Sequence, residues 1–488
     1  MKVLTVARMR EVDRRTIELG IPGIVLMENA AHRVVEFLAE EFAPLAAQRI
    51  VVLCGKGNNG GDGLAIARQL HTRFSPSSLQ VVLAAEPGSL RGDAAENLKM
   101  AKACGLAVQA EITPAMRTAT LVVDALLGTG LEGPAAGRML EMIREINSGF
   151  RLAQVVAVDI PSGLPGDSAF PSGEFVRAAA TVTFTSPKLA HALPPNCDHV
   201  GKLRVAPIGS PPELIESWIE LLEPRHFRHL LAPRSRGAHK GDFGHVLIAG
   251  GAAGKTGAAA MAGMAALRAG AGLVTVACAE SNFTALAPEL MTEPFPGVPQ
   301  GKDAVAIGPG LGTTPEAVAL VRRAFAEWDQ PMVVDADGLN ALAGQDFRAG
   351  NALRVLTPHP GEMARLTGRS GGDILQDRLG VARAFAHDRG VCLVLKGQRS
   401  LIAFPDGRVW INPTGTPAMA TAGSGDILTG LIAGLLAQFP GEPDAVVAAA
   451  VYLHGLAGEI GARSRGEKCL VATDLLEFLP AAIHEALH

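Results

Sequence analysis

Aromatic side chains are scarce in this chain: 4% of 488 residues, with one tyrosine and three tryptophans. A core must therefore be built from Ala, Val, Leu and Ile, and 48% of the residues are hydrophobic. Cysteine is thin too. Its six residues (Cys54, Cys104, Cys197, Cys278, Cys392, Cys469) are scattered and form no C-x-x-C pair. That gives no sign of a zinc site or a disulfide framework, and it fits a reduced cytoplasm. No block of like charge is present and the formal net charge is only -4, so the electrostatic footprint of a nucleic-acid or anionic-membrane binder is missing. No run of about 18 apolar residues reads as a transmembrane helix. The opening MKVLTVARMR lacks the long apolar core of a secretion signal. The expectation is a cytoplasmic protein with neither nucleic acid nor membrane as partner.

Glycine (56) and proline (32) are plentiful, as many short β–α connections require. Length alone gives a prior of roughly three domains, but the pattern along the chain reduces this to two, at 1–215 and 225–488. Residues 5–20 read as a helix with Thr5 as a candidate cap. Pro22 opens a second helix whose apolar positions (Ile24, Met27, Ala31, Val34, Val35, Leu38) recur every three or four residues. Apolar strands then follow at 50–53, 81–84, 121–124, 155–159 and 181–185, with helices near 91–104 and 137–147. Prolines and charges break the pattern over 207–236, and a linker is expected at 212–228. A second series has strands at 245–249, 273–277, 304–307, 332–335, 355–357 and 392–395. A hairpin is expected at 400–404 and 408–412, and helices at 443–460 and 473–486. Apolar strands alternating with amphipathic helices predict two α/β domains, each with a mostly parallel sheet covered on both faces. The Ala-rich helical faces leave room for an interface, and a homo-oligomer is expected.

Ligands of such sheets bind at the carboxyl ends of the strands. In the first half, three stretches fall there: Gly57-Asn58-Asn59-Gly60-Gly61-Asp62-Gly63, Asp124 with Gly128-Thr129-Gly130, and Asp159-Ile160-Pro161-Ser162-Gly163. The glycines permit positive φ and close backbone approach. The strand-to-helix position offers an anion site, and the Asn amide oxygens suit a hard monovalent cation. A tight Asn-Gly turn is the plainer reading of the first stretch alone. Three such stretches at one sheet edge form one pocket.

Thr421-Ala422-Gly423-Ser424-Gly425-Asp426 is the densest stretch of the second half. Bare backbone and a helix start stand beside one carboxylate, which suits transfer of a phosphoryl group to or from a hydroxyl, with Asp426 as base. Gly254-Lys255-Thr256 looks like the end of a Walker A loop, but Ala249 stands where that motif needs Gly. Further strand ends carry Gly308-Pro309-Gly310, Asp335-Ala336-Asp337, and His359 between two prolines. Lys396-Gly397-Gln398-Arg399-Ser400 precedes the hairpin. Its cations suit a nucleotide phosphate, and a turn with solvated charges is the alternative.

The motifs GNNGGDG, D-x-x-x-G-T-G-x-x-G and D-I-P-S-G closely resemble the N-terminal domain of the NAD(P)HX-repair proteins of the YjeF type, over about the first 210 residues. That resemblance implies a Rossmann-like three-layer αβα fold and epimerisation of hydrated NADH or NADPH at C6 of the reduced ring. It implies K⁺ on Asn59, Asp124 and Ser162. Substrate contacts fall on Asn58, Asn59, Gly60, Gly61 and Asp62, on Gly128, Thr129, Gly130, Leu131, Glu132, Gly133 and Pro134, and on Asp159, the candidate acid/base. The same fold also serves without catalysis as a scaffold. The presence of both Asp124 and Asp159 favours the enzyme. Lys188 is expected as a solvated surface lysine, with closure of the pocket or pairing to phosphate as its alternatives.

N-P-T-G-T-P-A-M-A-T-A-G-S-G-D with T-P-H-P-G-E resembles the C-terminal NAD(P)HX dehydratase domain of that family, over about 228–488. It implies a ribokinase-like αβα fold and an ADP- and Mg²⁺-dependent dehydration of the S hydrate, with AMP and phosphate as products. Ala258, Gly310, His359 and Asp426 are the implied hydrate contacts. Lys396, Gly397, Gln398, Arg399, Ser400 and Gly425 are the implied nucleotide contacts. The expected partners are thus NADHX or NADPHX and ADP. A ribokinase-type small-molecule kinase with an accessory domain is the alternative, and a non-catalytic N-terminal scaffold a third reading.

Overall fold

The computed structural model describes residues 1–278, 287–295 and 297–488. The chain divides into two compact units, Met1–Ser217 and Trp218–His488.

In the first unit, strands β1 (Arg49–Cys54), β2 (Ser78–Leu83), β3 (Val108–Gln109), β4 (Leu121–Ala125), β5 (Gln154–Val158), β6 (Ala180–Phe184) and β7 (Lys202–Ala206) form one parallel sheet in the order β3-β2-β1-β4-β5-β6-β7. Side chains alternate across a strand, so β1 feeds two cores. Ile50, Val52 and Cys54 join Val34, Leu38, Leu64 and Leu98 on one face. Val51 and Leu53 join Met142, Ile143 and Ile146 on the other. Helices Gly23–Glu41, Asn58–Arg73 and Gly92–Ala103 supply the first face, and Gly137–Gly149 the second. Strand order reverses between β1 and β4, which opens a crevice at their carboxyl ends.

In the second unit, β8 (Ile219–Leu221), β9 (His245–Ala249), β10 (Leu273–Ala277), β11 (Met291–Glu293), β12 (Ala304–Ile307), β13 (Met332–Val334), β14 (Arg354–Leu356), β15 (Cys392–Leu395), β16 (Leu401–Ala403) and β17 (Val409–Ile411) run in the order β11-β10-β9-β12-β13-β14-β15-β16-β17-β8. Pairing is parallel from β11 to β15, antiparallel through β16 and β17, and parallel again to β8. Here the order reverses between β9 and β12. Val246, Ile248, Val274 and Val276 pack with helices Thr256–Arg268, Ser424–Gln438 and Pro443–Arg465. Gly430 lets two of these helices touch, because a Cβ there would stand 2.0 Å from the Ala262 carbonyl oxygen. Pro443–Arg465 has the length and apolar composition of a membrane span, and most of that stretch is buried within the domain.

Four strands depart from the sequence expectation, and all four are sheet edges: β3 and β7 in the first sheet, β8 and β11 in the second. An edge strand has one hydrogen-bonding neighbour and stays partly wet, so it lacks the unbroken apolar run that marks a central parallel strand. β7, Lys-Leu-Arg-Val-Ala, carries two cations. β8 lies inside the stretch expected as linker at 212–228, and it pairs with β17. The glycine-rich motif also differs. It is not a loop: the helix begins at Asn58, with Gly57 as its N-cap. None of its glycines has positive φ. They are small so that the helix can sit close: a Cβ on Gly60 would lie 1.9 Å from the Gly55 carbonyl oxygen, and one on Gly61 2.7 Å from Met27 Sδ.

Candidate active sites

The first site lies at the β1/β4 crevice, a cavity of about 750 Å³. Asn58, Asn59 and Asp62 reach it from the first turns of Asn58–Arg73, and Leu126–Glu132 from the segment after β4. Asp159 enters from the end of β5 and Lys188 from beyond β6. Gly128 fixes two of these relative to each other. A Cβ on it would lie 3.3 Å from Asn59 Cβ and 3.7 Å from Asp159 Oδ2, so the Asn amide and the carboxylate share one wall. Gly60 and Gly61 are packed beneath the cavity rather than lining it, and Gly133 and Pro134 lie outside it.

Asp159 holds φ at +65°, in the left-handed region that non-glycine residues rarely adopt. Thr185, at the end of neighbouring β6, does the same at +64°. Such strain persists where surrounding contacts over-determine it. At Asp159 those contacts are visible: Oδ1 accepts from Lys188 Nζ at 2.7 Å and from Thr183 Oγ1 at 3.0 Å. Burial pushes this carboxyl upward, but the Lys188 ammonium outweighs it and holds the pKa below the usual value. Lys188 is not the solvated surface lysine expected. It is 1% exposed and also donates to Thr183 Oγ1 at 2.9 Å. The following residues explain why: Leu4 bridges to Lys188, and His191 Nδ1 accepts from the Lys188 backbone N–H, so the chain turns inward there.

Beneath the same wall, Asp124 and Ser162 are fully buried and joined. Asp124 Oδ2 accepts from the Ser162 N–H at 2.8 Å, and Oδ1 from the Ser162 hydroxyl at 2.6 Å. Burial, partly offset by these bonds, lifts Asp124 to about 6. Asn59 is 8% exposed, and neither its amide oxygen nor its nitrogen has a partner. A buried amide without partners is costly. Together with the Asp124 and Ser162 oxygens, its oxygen forms a donor set that fits a hard cation.

The second site lies at the β9/β12 crevice. Gly310 and Ala258 meet there: a Cβ on Gly310 would lie 2.5 Å from the Lys255 carbonyl oxygen and 3.2 Å from Ala258 Cβ. Helix Ser424–Gln438 starts with Gly423 at φ +93° and no side-chain cap, so its first turn presents bare N–H groups. Asp426 sits in that turn. Asp335, at the end of β13 and 2% exposed, accepts from Lys396 Nζ at 2.8 Å and from Thr429 Oγ1 at 2.8 Å. Lys396 Nζ is 3.2 Å from where a Gly425 Cβ would stand. The 396–400 segment and the helix start are thus adjacent. Burial first, then the neighbouring Asp335, raises Asp426 to about 6. Burial opposes the charge on Lys396, but Asp335, Glu362 and Asp426 overcome it and raise its pKa.

His359, which stands between two prolines, is held by hydrogen bonds to the helix that follows it. Its Nδ1 accepts from the Gly361 and Glu362 N–H groups, and Glu362 Oε2 accepts from the His359 N–H. It caps helix Pro360–Thr367 while its ring remains half exposed. Over 396–400, Gly397 and Arg399 have positive φ, and Arg378 donates to the Gln398 and Arg399 carbonyls. The Walker-like Lys255 forms an ion pair with Asp337 at 3.4 Å.

Lys188, Asp335 and Thr429 were missing from the sequence-based set. Asp335 had a usable signal, an acid directly after an apolar strand, as at Asp124 and Asp159. For Lys188 the sequence offers pocket closure only as an alternative to a surface lysine, and Thr429 carries no signal.

Comparison with known proteins agrees with this division. The family described as YjeF-related protein N-terminus matches residues 23–190, and that described as NAD(P)H-hydrate dehydratase matches 246–481. A Moorella thermoacetica protein named bifunctional NAD(P)H-hydrate repair enzyme is 44% identical, over 98% of this chain and 96% of its own. A Thermofilum pendens protein of the same name is 37% identical over 99% and 96%. The solved ADP/ATP-dependent NAD(P)H-hydrate dehydratase of Bacillus subtilis, co-crystallised with ATP and Mg²⁺, is 33% identical with a TM-score of 0.51, covering 55% of this chain and 98% of that one. A ribokinase-like superfamily protein of Enterococcus faecalis is 29% identical with a TM-score of 0.50, covering 56% and 97%. The expected two-domain α/β architecture with a ribokinase-like second domain therefore holds. On these full-length identities, the chain belongs to the family of bifunctional NAD(P)H-hydrate repair enzymes.

Proposed function

We propose that the chain repairs hydrated nicotinamide nucleotides at two separate sites. The first domain interconverts the R and S hydrates at C6. The second dehydrates the S form, converting ADP to AMP and phosphate. The observation that carries the first half is the buried Asp159–Lys188 pair beside the partnerless Asn59 amide, in a cavity of ligand size. The second half is carried by Asp426, in an uncapped helix turn against Asp335 and Lys396.

In the second site, Asp426 takes the proton of the C6 hydroxyl as that oxygen attacks the terminal phosphorus of ADP. AMP leaves. The N–H groups of the first turn of Ser424–Gln438 hold the transferring charge. Loss of phosphate then restores the reduced cofactor, because phosphate is a far better leaving group than hydroxide. Lys396 to Ser400 and Gly425 serve the nucleotide, and Ala258, Gly310 and His359 the hydrate. The Bacillus subtilis relative was crystallised with ATP and Mg²⁺, which supports a nucleotide–Mg²⁺ complex here. Among the described residues no three His, Cys, Asp or Glu side chains cluster as a metal site. Mg²⁺ would enter mainly on phosphate oxygens, and it would neutralise charge there.

In the first site, Asn59, Asp124 and Ser162 would hold K⁺. That ion would satisfy the Asn59 oxygen and fix the segment around Leu127, whose N–H donates to Ser162 Oγ at 2.8 Å. Asn58 and Asp62, the 128–132 segment and Asp159 contact the hydrate.

The test is chromatography of a mixture of R and S NADHX incubated with the full chain, ADP, Mg²⁺ and K⁺. Both epimers should disappear, with one AMP formed per cofactor restored. AMP formed without hydrate, or consumption of the S epimer alone, would overturn the corresponding half.

A further inference from the structure

The first cavity holds a carboxyl that neither the family motifs nor the mechanism above uses. Asp13 lies on helix Val6–Glu18 and lines the cavity with Asp62, Asp159 and Lys188. Its Oδ1 is out of solvent and has no hydrogen-bond partner. This is no frayed terminus. Leu4 N–H donates to the Pro187 carbonyl at 2.9 Å, Ser186 Oγ donates to the Lys2 carbonyl at 2.8 Å, and Val6 N–H donates to Asp167 Oδ1 at 2.7 Å. Leu4, Met9 and Val12 bury themselves with Leu214. The helix is therefore fastened next to the very segment that carries Lys188, and Asp13 is presented from its inner side.

Two carboxyls of one cavity thus stand in opposite conditions. Asp159 is tied to an ammonium and a hydroxyl and stays ionised. Asp13 has an oxygen with nothing to bond. Burial raises it to about 6, with Lys188 pulling down and Asp159 pushing up. Asp62, facing both acids, is lifted well above its usual value by burial and by their charges. Arg10 also lines the cavity. A pair of acids held apart in this way is how one site supplies both a proton donor and a proton acceptor. The partnerless Asn59, nine-tenths buried in the same wall, is an independent mark that a polar ligand belongs there.

We propose that Asp13 is the second proton-transfer residue of the first site, acting opposite Asp159 on the C6 hydroxyl of the hydrate; this rests on the epimerase reading above. In one direction the Asp13 carboxylic acid gives its proton to the C6 oxygen. The C6–O bond breaks, its electron pair leaves with water, and the ring nitrogen lone pair forms a C6–N double bond. A water then adds to the other face. The new C6–O bond forms, the double-bond pair returns to nitrogen, and the released proton goes to the Asp159 carboxylate. One water leaves and one enters; one proton leaves Asp13 and one reaches Asp159. Exchange with solvent then returns a proton to Asp13 and removes one from Asp159, which restores both groups; the opposite epimer runs the same steps backward.

The experiment uses the full chain with Asp13→Asn and Asp13→Glu, NADPHX as substrate, and excess separate dehydratase with ADP to draw off the S epimer. Wild type should consume the R epimer. Asp13→Asn should lower kcat by roughly 100-fold or more, with the Kd for NADPHX within about threefold. Its own dehydration of the S epimer should be unchanged, and Asp13→Glu should recover part of the rate. The fall of wild-type kcat/KM at alkaline pH should be absent from the residual activity of Asp13→Asn. A kcat within threefold of wild type overturns the proposal. So does equal loss of binding and rate that Asp13→Glu does not repair, which makes Asp13 structural. A wild-type chain that binds NADPHX but epimerises none of it refutes the epimerase reading itself.

Discussion

Lys188 Nζ stands 2.7 Å from Asp159 Oδ1, in the interior of the first domain and 29 residues away in sequence. The pair organises the site: it keeps one carboxyl ionised and holds a non-glycine residue at φ +65°.

Removing one partner leaves an uncompensated buried charge. Lys188→Met should destabilise the first domain by about 3–5 kcal/mol, read from its urea transition. Adding Asp159→Asn to Lys188→Met should recover most of that loss. A double variant no more stable than Lys188→Met would show that the ion pair is not the cause.

Asp426→Asn should abolish dehydration and leave epimerisation intact. Loss of both activities in a folded variant contradicts two separate sites. The acid limb has a definite sign. Asp426 acts as a base only when ionised, and its pKa is raised to about 6. Dehydration kcat/KM should therefore be flat above that pH and fall as pH drops below it.

The same shift affects stability. A folded pKa above the unfolded value means the folded state binds the proton more tightly, so ionisation costs stability on the order of 3 kcal/mol above pH 6. Asp426→Asn should therefore melt several degrees higher than wild type at pH 8. The gap should close as pH falls from about 6 to about 4. Equal melting at pH 8 would refute the raised pKa.

Asp335→Asn removes the charge that, after burial, most raises Asp426, and it also frees Lys396 to lower it. The acid limb of any residual dehydration should move to lower pH. A limb that stays near 6 would mean burial alone sets it.

Glycine substitutions separate packing from conformation in the first motif. Gly60→Ala would place Cβ 1.9 Å from the Gly55 carbonyl oxygen, whereas Gly57 has nothing within 4 Å. Gly60→Ala should lose epimerisation and several kcal/mol of first-domain stability. Gly57→Ala should stay within about 1 kcal/mol of wild type. Similar losses at both positions would point to backbone freedom instead.

The central strands were legible in the sequence because burial on both faces writes an unbroken apolar run, as in Ile50-Val51-Val52-Leu53. Strands β9, β10, β12 and β15 fall at the residues expected. The edges β3, β7, β8 and β11 were not legible, since a strand with one wet side has no such mark. Acids at strand ends were legible for the same geometric reason, and Asp124, Asp159 and Asp335 all carry that signature.

Sequence alone therefore determined the α/β class and the strand ends that carry the site motifs, because hydrophobic period and glycine spacing are local properties of the chain, whereas the strand order that opens each crevice is set by long-range pairing. It also placed Asp426 at the start of an apolar helix. Tertiary structure decided what each acid experiences. Lys188, drawn inward beside Leu4, keeps Asp159 ionised, while burial raises the Asp13 carboxyl to about 6. Protonation state depends on neighbours and solvent access in space, and no pattern along the chain encodes either.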